Sequence, residues 1–245
     1  MRKVALVTGA GRRIGADIAR RLAREGFAVA LFANGSLAVA ERLAEEIGGR
    51  AFAADLADPQ AAARAFAQAA EAMGPIDLLV NNAAAFEDDA IDRLDLELWR
   101  RQFAVDLESP VFLIGAFAEA LPPDREGCVV NIIDQRVLKL TPQYLSYTLA
   151  KSALWTATRT LAQALAPRIR VNAVGPGPTY PSVREGEQGL AHEAAGTLLG
   201  RAVSGEEIAE AVVFLARAKN VTGQMICVDS GQHLSWRTPD IVEGD

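Results

Sequence analysis

Apolar and polar positions follow two periods along the chain. Short, almost wholly apolar runs occur at residues 3–8, 28–33, 50–53, 77–81, 127–132, 169–174 and 224–228. Runs of that length, bounded by Gly, Pro or Asn, predict strands buried on both faces. Between them lie longer segments, at 14–25, 37–47, 59–73, 97–121, 145–166 and 206–218, whose apolar residues return every three or four positions. That spacing predicts amphipathic helices. Ser204-Gly-Glu-Glu207 reads as a capping box that starts the last of them. Strands alternating with helices imply a parallel sheet with right-handed crossovers, hence a doubly wound α/β fold. No linker or repeat interrupts the series, so residues 1–245 are expected to form one domain. The stretch 176–201 has no clear period and many Gly, Pro and charged residues, which predicts a functional loop.

The punctuation between elements carries the first chemistry. Strand one runs into Thr8-Gly-Ala-Gly-Arg-Arg-Ile-Gly15, and a helical pattern follows. Gly9, Gly11 and Gly15 allow close backbone approach to a pyrophosphate, whose charge suits a helix N-terminus. The second strand ends in Ala33-Asn-Gly-Ser36 with no acidic residue. An acid there would hold two ribose hydroxyls and repel a 2′-phosphate. Arg12 and Arg13, with the hydroxyl of Ser36, suit a phosphate instead.

Tyr147 and Lys151 stand four residues apart, on one helix face, and Asp134 lies thirteen residues before the tyrosine. A phenol titrates near pH ~10, and a neighbouring ammonium favours its ionised form. Lowering it by roughly three units asks for about 4 kcal/mol of differential interaction. The pair therefore reads as a proton donor tuned toward neutral pH. The stripe continues through Leu154, Thr158, Leu161 and Leu165, which read as core.

These motifs, in this order, resemble those of the short-chain dehydrogenase/reductase family over nearly the whole chain. Asn81-Asn-Ala83 stands where that family has its Asn-Asn-Ala motif, and Arg170-Val-Asn-Ala-Val-Gly-Pro-Gly177 resembles its sixth strand and Pro-Gly turn. Val221-Thr-Gly-Gln224 and Val228-Asp-Ser-Gly231 resemble its final strand and flanks. The resemblance implies a Rossmann-type fold of about seven strands and a nicotinamide cofactor, here NADP. It implies cofactor contacts at Gly9, Gly11, Arg12, Arg13, Ile14 and Gly15, and at Asn34 and Ser36 after strand two. Asp55 and Leu56 follow strand three, Asn81 and Ala83 follow strand four, and Lys151, Pro176, Gly177 and Thr179 complete the set.

Two departures point to a branch. Most members carry Ser at the place of Asp134 and Gly at the place of Arg13; the pteridine reductases share both changes and also a Phe matching Phe86. The implied substrate contacts are Phe86, Asp134, Tyr147 and Tyr180, and the implied catalytic residues are Asp134, Tyr147, Lys151 and Asp106. An ionised Asp134 opposes the alkoxide formed in carbonyl reduction, whereas a carboxyl group suits a C=N bond or N-heterocycle where a proton must reach nitrogen. Phe86 suits stacking on a flat ring. The match has gaps. Ala84 replaces a Ser of that branch, and Asp106 replaces the family's active-site Asn, whose main-chain carbonyl holds a relay water. Dihydropterin reduction leads, with a carbonyl reductase and a non-catalytic NADPH-binding regulator as alternatives.

Composition narrows the rest. A net charge of −6 opposes a nucleic-acid surface, and 50% hydrophobic residues fill one sizeable core. Cys128 and Cys227 fall in strand-like runs and read as buried free thiols, while His192 and His233 lack metal-ligand spacing. No apolar run reaches the ~20 residues of a membrane span. The chain opens directly on strand one, which predicts no signal peptide and a cytoplasmic protein. By resemblance a homotetramer is expected through helices 97–121 and 145–166, with Phe112, Phe117 and Trp155 as candidate contacts.

Overall fold

In the computed structural model, which describes residues 2–181 and 186–236, seven strands share one sheet. They are β1 (Val4–Thr8), β2 (Ala28–Ala33), β3 (Arg50–Ala53), β4 (Ile76–Asn81), β5 (Gly127–Ile132), β6 (Ile169–Pro176) and β7 (Met225–Val228). All neighbours pair in parallel, in the order β3-β2-β1-β4-β5-β6-β7. The helices are α1 (Arg13–Arg24), α2 (Leu37–Ile47), α3 (Pro59–Met73), α4 (Leu96–Phe103), α5 (Ser109–Ala120), α6 (Leu145–Leu165), α7 (Gly186–Ala195) and α8 (Gly205–Arg217).

The strands lack polar alternation because both sheet faces are covered. Ala5 and Val7 of β1 share a core with Ile18 and Leu22 of α1, Leu43 of α2 and Val212 of α8. Leu6, between them, points into the opposite layer with Phe66 of α3 and Phe117 of α5. The result is the doubly wound Rossmann-type α/β fold. Strand order reverses at β1 and β4, and the crevice beyond the carboxyl ends of those strands is where such sheets bind ligands.

Three expectations change. The helix expected over 97–121 is interrupted by a π-helical turn, Ala104–Glu108, between α4 and α5. Pro110 explains it: proline has no N–H to donate to the carbonyl of Asp106, four residues back. The expected loop 176–201 contains α7, and residues 182–185 of it lie outside the described residues. Phe117 is no surface contact: it is fully buried, edge-on to Phe66 with centroids 6.5 Å apart. It belongs to the inward stripe with Leu113 and Ile114, whereas Phe112 points outward and is 57% exposed. The two thiols are free, Cys128 buried and Cys227 half-buried, and Ser204 and Glu207 form the expected capping box.

Candidate active site

The glycine turn is shaped by what its residues lack. Gly9 has φ +63, and a Cβ on it would stand 2.8 Å from Ala83 Cα; one on Gly15 would stand 2.3 Å from the Gly9 carbonyl oxygen. Only glycine fits either place. The loop after β4 is tied to the turn through Thr8, whose hydroxyl accepts from Asn82 N (2.9 Å) and Ala83 N (3.0 Å). The Asn82 amide donates to Thr8 O at 2.9 Å. Asn82, not Asn81, thus meets the turn. Asn81, expected at the cofactor, is buried and donates to Asn131 (2.9 Å), which in turn donates to Thr158 of α6 (2.9 Å).

At the end of β2, Asn34 is exposed and Ser36 Oγ lies where a Cβ on Gly11 would be 2.7 Å away. Arg12 is exposed at the start of α1. Arg13 holds φ +53, a left-handed conformation that glycine adopts freely and an arginine at a cost of order 1–3 kcal/mol. Its guanidinium donates to Pro181 O at 2.6 Å and lies 5.6 Å from the Tyr180 ring centroid. The Tyr180 hydroxyl donates to the Asp17 carboxylate of α1. Burial and Asp17 push that phenol up to about 12. Tyr180, expected against substrate, therefore clasps the loop after β6 onto α1. Asp55 is exposed, Leu56 is buried and its carbonyl accepts from Ser109 (2.8 Å), and Gly177 abuts Asp229 with Thr179 turned back onto the Gly177 carbonyl (2.9 Å). Ile14 and Pro176 flank the same edge, partly buried and buried respectively.

The second centre lies at the carboxyl end of β5. Tyr147 and Lys151 occupy the first turns of α6, whose start is capped from a distance: the buried Asp89 carboxylate accepts Ser146 N at 3.1 Å. The Tyr147 hydroxyl donates to Asp134 Oδ2 at 3.2 Å, and Asp134 Oδ1 accepts Arg136 N at 2.8 Å. The Lys151 ammonium donates to the Ile132 carbonyl (3.0 Å) and pairs with Asp106 Oδ1 at 3.1 Å, an ion-pair contact rather than an aligned hydrogen bond. Asp106 Oδ2 accepts Ala85 N at 3.1 Å. The four predicted catalytic residues therefore meet in one cluster, with Asp106, Tyr147 and Lys151 buried and Asp134 half-buried.

Its electrostatics reverse one expectation. The phenol is held well above its ordinary value, first by burial and then by the Asp134 and Asp106 charges, so the net shift is upward with the Lys151 ammonium close by. The ammonium is answered by Asp106 and stands 5.6 Å from the ring centroid. Burial also raises the Asp134 carboxyl, against the opposing pull of the Arg136 backbone N–H and guanidinium. Asp134 and Tyr147 are thus both biased toward holding protons.

Phe86 presents its edge to Tyr147, with centroids 4.8 Å apart, and stacks on Tyr144 at 4.3 Å and 8°. Tyr144 is left-handed, φ +54, and lies under the Arg136 guanidinium at 5.1 Å. Sequence reasoning missed Tyr144, Arg136, Asp89 and Asn82. Asn82 sat within the motif already quoted, and Arg136 and Tyr144 lie two and three residues from Asp134 and Tyr147. Asp89 gave no local signal, since it caps a helix start more than fifty residues away. Among the described residues no group of His, Cys, Asp and Glu forms a metal site.

Known proteins resemble this chain over nearly its whole length. A family model described as Enoyl-(Acyl carrier protein) reductase matches residues 9–233. An uncharacterized oxidoreductase of Methylorubrum extorquens is 37% identical, covering 94% of this chain and 97% of its own. The 3-oxoacyl-(acyl-carrier-protein) reductase FabG of Staphylococcus aureus is 32% identical over 96% of this chain and 99% of its own. The solved structure of FolM alternative dihydrofolate reductase 1 from Brucella suis in complex with NADP superposes with a TM-score of 0.94. It is 50% identical, with 98% of each chain covered. With its glycine turn, its Asn-Asn-Ala loop and its Tyr147–Lys151 pair in place, the chain belongs to the short-chain dehydrogenase/reductase family of oxidoreductases.

Proposed function

We propose that the protein is an NADPH-dependent reductase of a dihydropterin or a similar planar N-heterocycle. The observation that carries this reading is the Tyr147–Asp134 hydrogen bond, in which a half-buried carboxyl group stands where a carbonyl reductase of this family has serine. The similarity to a FolM alternative dihydrofolate reductase supports the substrate class, and its bound NADP supports the cofactor. The acid-free end of β2, with Ser36 and exposed Arg12 beside Gly11, suits a 2′-phosphate. The cofactor site is assigned to this edge and the glycine turn, together with Lys151.

When bound, NADPH supplies the hydride to a ring carbon. Asp134 and Tyr147 hold a proton for the adjacent ring nitrogen, so that C=N becomes CH–NH. A raised Asp134 pKa keeps this proton available at higher pH than an ordinary carboxyl allows. Lys151 fixes the cluster against the Ile132 carbonyl. Phe86, with Tyr144 on one side and 45% of its surface exposed, offers a flat apolar contact.

The test is an NADPH-oxidation screen that pairs dihydropterins with ketones and 3-oxoacyl thioesters. Turnover of dihydropterins is expected. Good ketone turnover with none on dihydropterins overturns the reading in favour of a carbonyl reductase, which the FabG relative supports. We further propose a cytoplasmic homotetramer joined through α4, α5 and α6, where Phe112 is exposed and Trp155 partly so. No helix of the described residues is long and apolar enough to cross a membrane. Light scattering that reports a monomer at micromolar concentration refutes the tetramer.

A further inference from the structure

The feature least expected of this cluster is the Asp106 side chain. It is fully buried, as is Lys151 but for 2% of its surface. Asp106 reaches the ammonium from the π-helical turn, across from α6, with its other oxygen fixed by Ala85 N. The break in α-helical bonding above Pro110 is what turns this residue inward. A buried ammonium with only a carbonyl for company is costly, and a carboxylate at 3.1 Å offsets that cost. An amide in this place has no charge to give.

We propose that Asp106 is a positioning residue of the proton-transfer centre: its carboxylate holds Lys151 against the Ile132 carbonyl and cancels its charge, so that Tyr147 stays a neutral proton donor. This rests on the reductase reading of the Tyr147 site. The groups facing Tyr147 are Asp134 and Arg136 from the segment after β5, Lys151 from α6, and Asp106 from the π-helical turn. Phe86 adds an uncharged ring edge, and Cys227 of β7 lies within reach of the Asp134 charge. Of the two cations, Lys151 is the one with a buried carboxylate of its own, and removing that carboxylate leaves a net positive charge beside the phenol. The upward shift of the Tyr147 phenol, to which the Asp106 charge contributes, agrees with this.

The test reads Tyr147 itself and needs no substrate. Ultraviolet titration of tyrosinate in the wild type, less that of Tyr147→Phe, isolates this phenol from Tyr144 and Tyr180. The same difference is taken in an Asp106→Asn background. Asp106→Asn is expected to lower the Tyr147 midpoint by about one pH unit, or about tenfold more tyrosinate at a given pH. Asp106→Asn/Lys151→Gln, which removes both charges, is expected to bring the midpoint back up. It also serves if the single variant does not fold, since a buried pair is better lost whole than halved. A Tyr147 midpoint unchanged in both variants overturns the proposal. A shifted midpoint in a protein that reduces no dihydropterin upholds it and faults only the substrate assignment.

Discussion

At the turn between β1 and α1, function rests on atoms that are missing, since a Cβ on Gly15 would meet the Gly9 carbonyl at 2.3 Å. Around Tyr147 it rests on charges taken out of water, with Lys151 and Asp106 paired at 3.1 Å and almost no exposed surface. The first region is shape made by backbone and tolerates little added volume. The second is a balance of burial against pairing, in which the protonation state of each group depends on groups from other elements. Both lie at one edge of the sheet, and they should fail differently.

The largest effect is expected from Tyr147→Phe. It removes the proton donor and leaves the turn intact, so turnover should fall by about 10²–10⁴-fold while NADPH affinity holds. Steady-state rates and a fluorescence titration check the two halves, and normal turnover would remove Tyr147 from the mechanism. Asp134→Ser sharpens the contrast by changing chemistry rather than shape. kcat/KM for dihydropterins should drop and that for small ketones should rise, since a hydroxyl donor suits a ketone oxygen where a carboxyl group suits a ring nitrogen.

On the turn side, the two arginines should separate. Arg12→Ala is expected to weaken NADPH by about ten- to hundred-fold and NADH little, through loss of a charged hydrogen bond worth roughly 1.5–3 kcal/mol. Arg13→Ala should weaken both cofactors alike, because its guanidinium is committed to the Pro181 carbonyl. Dissociation constants for the four combinations decide it. Gly15→Ala should cost about 1–3 kcal/mol of stability by overpacking, seen as a lower Tm, with nucleotide binding lost alongside.

The smallest effect concerns stability and pH. A carboxyl whose folded pKa is raised binds its proton more tightly in the native state, so stability falls as pH rises from the ordinary carboxylate value through the folded one. Asp134→Asn removes that loss. Its Tm should exceed that of the wild type at neutral pH, and the gap should close below the ordinary carboxylate range. Scanning calorimetry across pH reads the crossing, and a gap independent of pH would show that Asp134 is not strained by burial.

Much was legible in the chain because it depends on local pattern. Strand runs, helix spacing, the capping box at Ser204 and the glycine turn are set by neighbours in sequence, and each appears near where the pattern put it, except that the helix over 97–121 breaks at Ala104–Glu108 and the stretch 176–201 holds α7. Tyr147 and Lys151 share a helix face for the same reason, and Asp134 bonds to Tyr147 at the end of β5. What only the tertiary structure decided is which partner each group meets. Phe117 faces the core, Tyr180 bonds to Asp17, Asn81 bonds to Asn131, and Asp106 answers Lys151. These pairs join residues 45 to 163 positions apart in the chain. Sequence spacing orders side chains along one element, but burial and charge pairing are properties of the space between elements, and so the direction in which the Tyr147 phenol shifts belongs to the fold.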